Sequence, residues 1–166
     1  TAYKGITYCN LALENIPGIE MDEFTKLAYL GEAQFLRAYW YFNLVTTFGG
    51  VPLVTRPLAP SEYAQPRATA DEIWAQIVAD LEEAAANLPA KSAYGTSQTG
   101  RATRGAANAL LAKAHLYQGN MAEWRALGHG HGTPANLRGP GGAWPTRPLG
   151  RHAGLGRAGS CPTHVL

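Results

Sequence analysis

Cysteine is nearly absent: Cys9 and Cys161 are the only two in 166 residues. Two thiols cannot build a disulfide framework or a four-ligand zinc site. No apolar run reaches the roughly 18 residues a transmembrane helix needs. The opening stretch, Thr1 to Leu13, lacks the basic start and apolar run of a signal peptide. Charge is sparse at 16%, and the formal net charge of +2 argues for no nucleic-acid partner. A Walker loop, a dinucleotide fingerprint, a His-Glu-x-x-His zinc motif and a Gly-x-Ser-x-Gly nucleophile elbow are all missing. What remains is 46% hydrophobic, enough for one domain with its own core.

Acidic residues and lysine vanish altogether after Ala126. Residues 127–166 hold four arginines, ten glycines, five prolines and four of the five histidines. Residues 1–126 carry 10 Lys+Arg against 12 Asp+Glu, a charge of −2, so the positive balance comes entirely from the tail. Glycine and proline at that density break any helix, and the tail is expected to be disordered or irregular. Arg, Gly, Pro, Ala, His and Trp without Lys, Asp or Glu is the composition of a GC-rich message read out of frame. A frame change between Met121 and Leu127 accounts for it, and a genuine low-complexity linker is the alternative.

Residues 1–126 divide into four helical segments. The first, Ala2 to Ile16, carries the stripe Ile6, Cys9, Asn10, Leu13 and Ile16 and stops at Pro17-Gly18. Cys9 on that stripe reads as a core thiol. The second, Met21 to Phe48, is apolar nearly all round, with Phe35, Ala38, Tyr39, Phe42 and Val45 on one face, so it should pack on two or more sides. Gly49-Gly50 ends it, and a loop with Pro57, Pro60 and Pro66 runs from Thr55 to Ala68. The third opens on the capping box Thr69-Ala-Asp-Glu72 and carries Ile73, Ile77, Leu81, Ala84 and Leu88. Asp80, Glu82 and Glu83 fall away from that stripe and read as solvated. The fourth is capped by Thr103, runs to Gln118 and carries Ala107, Leu110, Leu111, Ala114 and Tyr117. No segment alternates as a strand does, so the fold class is all-α, built from antiparallel helix pairs. Leu111, Ala112, His115 and Gly119 match the spacing of a tetratricopeptide first helix, although Trp124 stands where that repeat has a small residue.

Few residues suggest chemistry. Glu82 and Glu83 are adjacent on a helix and point about 100° apart, which does not suit a shared substrate. His115 reads as a packed or surface helix residue. The pair His129 and His131, with His152 and His164, lies in the tail, and neither a metal site nor a cofactor is expected. Aromatic rings can stack on sugar rings. Seven tyrosines precede the fourth helix, and those at helical spacing read as core. Tyr63 and Tyr94, in loops, are the weak candidates for ligand contact.

One stretch is specific. Gly31-Glu-Ala-Gln-Phe-Leu-Arg-Ala-Tyr-Trp-Tyr-Phe-Asn-Leu-Val-Thr-Thr-Phe-Gly-Gly-Val-Pro-Leu-Val54 resembles the signature helix of the SusD/RagB family, with Gln34 where a basic residue is common. Cys9 to Gly18, Pro66 to Leu81 and Gly100 to Gly119 resemble the flanking helices in order, so the likeness covers residues 3–126. The resemblance implies a SusD-like helical array with tetratricopeptide-like pairs, about a third of a full member. It implies a binding protein rather than an enzyme, one that takes up glycans or other nutrients. Such a protein sits on the cell surface at the outer membrane, lipid-anchored, over a SusC-like TonB-dependent transporter. Cys9 is not expected to be the anchor, and no ligand residue carries over, because the matching string is a packing motif. A tetratricopeptide-type protein scaffold is the alternative. An all-α glycosidase lacks a plausible carboxylate pair.

Overall fold

The computed structural model describes residues 2–120. Residues 127–166, read above as an irregular tail, lie outside the described residues, as do Trp124 and the four tail histidines. Helix α1 spans Ala2–Asn15, α2 Glu23–Phe48, α3 Ala70–Asn87 and α4 Arg104–Tyr117. Short 3-10 turns at Ile16–Gly18, Pro60–Glu62, Lys91–Ala93 and Thr96–Gln98 punctuate the connections. The described residues contain no strand.

The helix ends follow from local chemistry. Asp22 caps α2 by accepting from the Thr25 amide at 2.9 Å, so α2 begins at Glu23, two residues after Met21. Its C-terminus stops at Gly49, whose φ of 70° lies in the left-handed region that glycine enters without strain. The Thr69–Glu72 capping box forms, with the Thr69 amide donating to Glu72 Oε2 at 2.8 Å and the Glu72 amide to Thr69 Oγ1 at 3.3 Å. Thr103 caps α4 through the Ala106 amide at 3.2 Å.

Contacts run in series, α1 on α2, α2 on α3, α3 on α4. Each neighbour is antiparallel. Asn10 meets Arg37, while Arg37 meets Asp80 and Gln34 meets Glu83 farther along. The main core gathers Ile6 from α1, Ala38, Tyr41, Phe42 and Val45 from α2, Ile73, Ile77 and Leu81 from α3, and Leu111 and Ala114 from α4. A smaller cluster of Ala84, Leu88 and Ala107 closes the α3–α4 end. Small residues allow these approaches: Gly31 lies beside Leu88, where an added Cβ would meet the Leu88 side chain at 3.0 Å.

Three expectations are corrected. Asp80 is not solvated but 2% exposed, because it pairs with Arg37 inside the core. Tyr39, assigned to the packed face of α2, is 45% exposed, and Tyr3, Tyr8 and Tyr29 are exposed as well. Tyr41 is the fully buried tyrosine among them. Tyr117, placed on the α4 stripe, is exposed and meets Phe42 and Trp74 edge-on or tilted. Helix α2 therefore packs on α1 and α3 and leaves a third side, with Leu36 and Tyr39, uncovered among the described residues.

Candidate functional site

Two polar assemblies and one exposed loop tyrosine could bear function. The first assembly is buried. Arg37 Nε and Nη2 donate to Asp80 Oδ2 and Oδ1 at 2.9 and 2.6 Å, a two-pronged pair. Its Nη1 donates to Asn10 Oδ1 at 2.9 Å and to the Thr55 carbonyl at 3.2 Å. Gln76 Nε2 adds a third bond to Asp80 at 2.9 Å. Asn10 Nδ2 in turn donates to the carbonyls of Val54 and Arg56. The Tyr41 hydroxyl accepts from the Val54 amide at 2.7 Å and donates to its carbonyl at 3.0 Å. Burial pushes the Tyr41 phenol up to about 12. The extended segment after α2 thus satisfies its backbone on side chains rather than on a partner strand. Both Asp80 oxygens are occupied, so this assembly holds a loop in place and offers no group to a ligand.

The loop it holds is closed at its base. The Ala68 amide donates to the Val51 carbonyl at 3.0 Å, and Arg67 donates to the carbonyls of Phe48 and Gly50. Farther out, Arg56 grips Glu62 at 2.5 and 3.1 Å, and the Ala59 amide adds a bond at 2.9 Å. The Arg56 contact holds the Glu62 carboxyl down to about 2. Tyr63 stands on this loop, 69% exposed, with no ring contact among the described residues.

The second assembly is an open cleft between the start of α2 and the segment joining α3 to α4. It is lined by Phe24, Ala28 and Tyr29 on one side and Tyr94, Gln98 and Arg101 on the other, and encloses about 120 Å³. Arg101 Nε and Nη2 bind Glu32 at 2.7 and 2.9 Å. Its guanidinium lies 5.0 Å from the Tyr29 ring centre and 5.4 Å from that of Tyr94. The Tyr94 hydroxyl donates to the Ala102 carbonyl at 2.9 Å, and burial raises its pKa. The hydrogen bonds that Arg101 donates to Glu32 raise the pKa of Arg101. Of the two loop tyrosines, the structure brings Tyr94 into this cleft and leaves Tyr63 apart from it. Phe24, Tyr29 and Arg101 were not singled out from the sequence. For Phe24 and Tyr29 the signal was the excess of apolar residues on α2, more than two packed faces can absorb; Arg101, in the segment before α4, carried none.

Elsewhere there is little for chemistry. Glu82 is exposed, and Glu83 is engaged by Gln34. His115 is buried, and its Nδ1 has no partner among the described residues. Burial raises the Cys9 thiol pKa, as suits a core thiol. Among the described residues no group of three His, Cys, Asp or Glu is placed to hold a metal, and no helix is long and apolar enough to cross a membrane.

Comparison with known proteins matches residues 1–116 to the SusD-like family described as starch-binding associating with outer membrane. A SusD-like protein of Formosa agariphila is 32% identical over 126 residues, which is 75% of this chain and 23% of that protein. A solved laminarin-binding SusD-like protein is 41% identical, with a TM-score of 0.72, over 76% of this chain and 27% of the other. A SusD-like carbohydrate-binding protein of Bacteroides fragilis is 32% identical, with a TM-score of 0.71, over 78% and 25%. The chain therefore spans about a quarter of the length of these relatives.

Proposed function

Because the chain belongs to the SusD-like family, we propose that it forms part of a glycan-binding component of an outer-membrane uptake system. In this reading the protein binds its glycan at the cell surface and hands it to a SusC-like TonB-dependent transporter. A lipid anchor outside residues 1–166 holds it to the outer membrane. The reading also makes residues 1–126 a helical scaffold portion of that protein. In this reading it binds its glycan rather than cleaving it, in keeping with the starch-binding description of the family and the laminarin-binding relative.

The observation that carries the proposal is the family match over residues 1–116, joined to the identity of 41% with a laminarin-binding relative. The test is native affinity electrophoresis of the protein expressed from its complete gene, in gels containing laminarin, starch or no glycan. Retardation by a glycan supports the reading. Unretarded migration in a broad glycan panel, with stable capture of a soluble protein partner, favours the tetratricopeptide-type scaffold instead. Co-purification of a TonB-dependent transporter from solubilised outer membranes tests the transport half separately.

A further inference from the structure

The cleft at Phe24, Tyr94 and Arg101 has a charge balance that narrows what it could take. Its one cation is already neutralised, since Arg101 is bound two-pronged by Glu32. The guanidinium lies over the rings of Tyr29 and Tyr94. Phe24 is different. It is 62% exposed and has no ring partner among the described residues. Gln98 is exposed, with a side-chain amide that bonds to nothing among the described residues, and it lines the same cleft. Arg101 Nη1 takes no part in the Glu32 pair and has no partner among the described residues. The cleft thus offers one aromatic face, two donors and no net charge.

Its size sets the reach. The cleft offers about 120 Å³. That is well below the roughly 300–1,000 Å³ of a pocket that engulfs a drug-sized ligand. An open cleft of this kind receives one ring while the rest of a chain stays in solvent.

Resting on the glycan-binding reading above, we infer that this cleft is a subsite for one neutral hexose unit. Phe24 stacks on the apolar face of the ring, and Gln98 and Arg101 Nη1 donate to its hydroxyls. Uronic or sulfated sugars gain nothing here, because Glu32 has taken the charge that would attract them. An aromatic face and a neutral hydrogen bond each contribute modestly, so each loss is felt as a few-fold change.

The test uses the protein expressed from its complete gene and calorimetry with laminarin oligosaccharides and with an anionic oligosaccharide of equal length. Phe24→Ala and Gln98→Ala alter exposed side chains and should leave the melting temperature close to wild type. Each is expected to weaken neutral-glycan binding by about 2- to 10-fold, and together by about 10-fold or more. Tyr8→Ala, an exposed tyrosine on α1, is expected to change nothing. Affinity for the neutral sugar should be flat between low and high salt. Wild-type binding that survives the double variant overturns the subsite and leaves the protein's glycan binding intact. Binding only to the anionic sugar overturns it too. A wild type that binds no glycan overturns both readings together.

Discussion

Replacing Asp80 by alanine strips a buried guanidinium of its charge partner and removes the acceptor of three hydrogen bonds. Two come from Arg37 and one from Gln76, and Asp80 is 2% exposed. Breaking a buried pair from one side costs about 3–5 kcal/mol, because the remaining charge stays out of water. The loss also propagates. Arg37 Nη1 orients Asn10 and the Thr55 carbonyl, and Asn10 in turn anchors the carbonyls of Val54 and Arg56. Asp80→Asn keeps an acceptor and most of the shape, so it should cost less than the alanine variant. Denaturant unfolding gives the global number. Exchange of the Val54 amide, which donates to Tyr41, gives the local one. Glu82→Ala, two residues away and exposed, sets the baseline at about 0.5 kcal/mol or less. Asp80→Ala within about 1 kcal/mol of that baseline, with Val54 still protected, would show that the buried pair does not hold the loop.

Tyr41→Phe removes a hydroxyl that serves both the amide and the carbonyl of Val54, and should cost about 1–3 kcal/mol in denaturant unfolding. Burial holds the folded phenol near 12 against an ordinary 10.0, so its contribution is complete below pH 10 and is lost as pH rises towards 12. The phenylalanine variant should lack that alkaline fall. Glu62 runs the opposite way: bonded to Arg56 and held near 2 against an ordinary 4.5, it steadies the loop above pH 4.5 and ceases to as pH drops towards 2. Exchange of the Ala59 amide should follow that acid range in the wild type and stay fast throughout in Glu62→Gln. Sequencing the coding DNA through codons 115–170 should reveal a second frame that restores Asp- and Glu-bearing helical sequence after Ala126. A clean single frame would make the tail a genuine segment.

The helices were legible because their signals are local. The Thr69–Glu72 box, the Thr103 cap and the Gly49 stop all act within a few residues, and each stands where the sequence put it. The α3 stripe was legible for the same reason, with Ile73, Ile77, Leu81, Ala84 and Leu88 all buried. Asp80 was misread because periodicity scores a carboxylate by its own polarity. Its burial depends on Arg37, 43 residues away, and only the packing of α2 on α3 brings the two together. The tyrosines failed for a related reason. Helical spacing says which residues share a face, but not whether that face has a neighbour: Tyr39 stands 45% exposed, and Tyr29 lies at the open cleft under Arg101. The cleft was half visible: Tyr94 stood out as a loop aromatic, whereas Arg101 gains its place only through Glu32 on a distant helix.

Calorimetric titration of the protein expressed from its complete gene with laminarin and starch oligosaccharides tests the proposed glycan binding. Saturable binding to a neutral glycan, without release of reducing sugar on prolonged incubation, is the predicted result. Hydrolysis of the bound glycan, or no binding across neutral and anionic panels alike, would rule out a role as a glycan-binding protein.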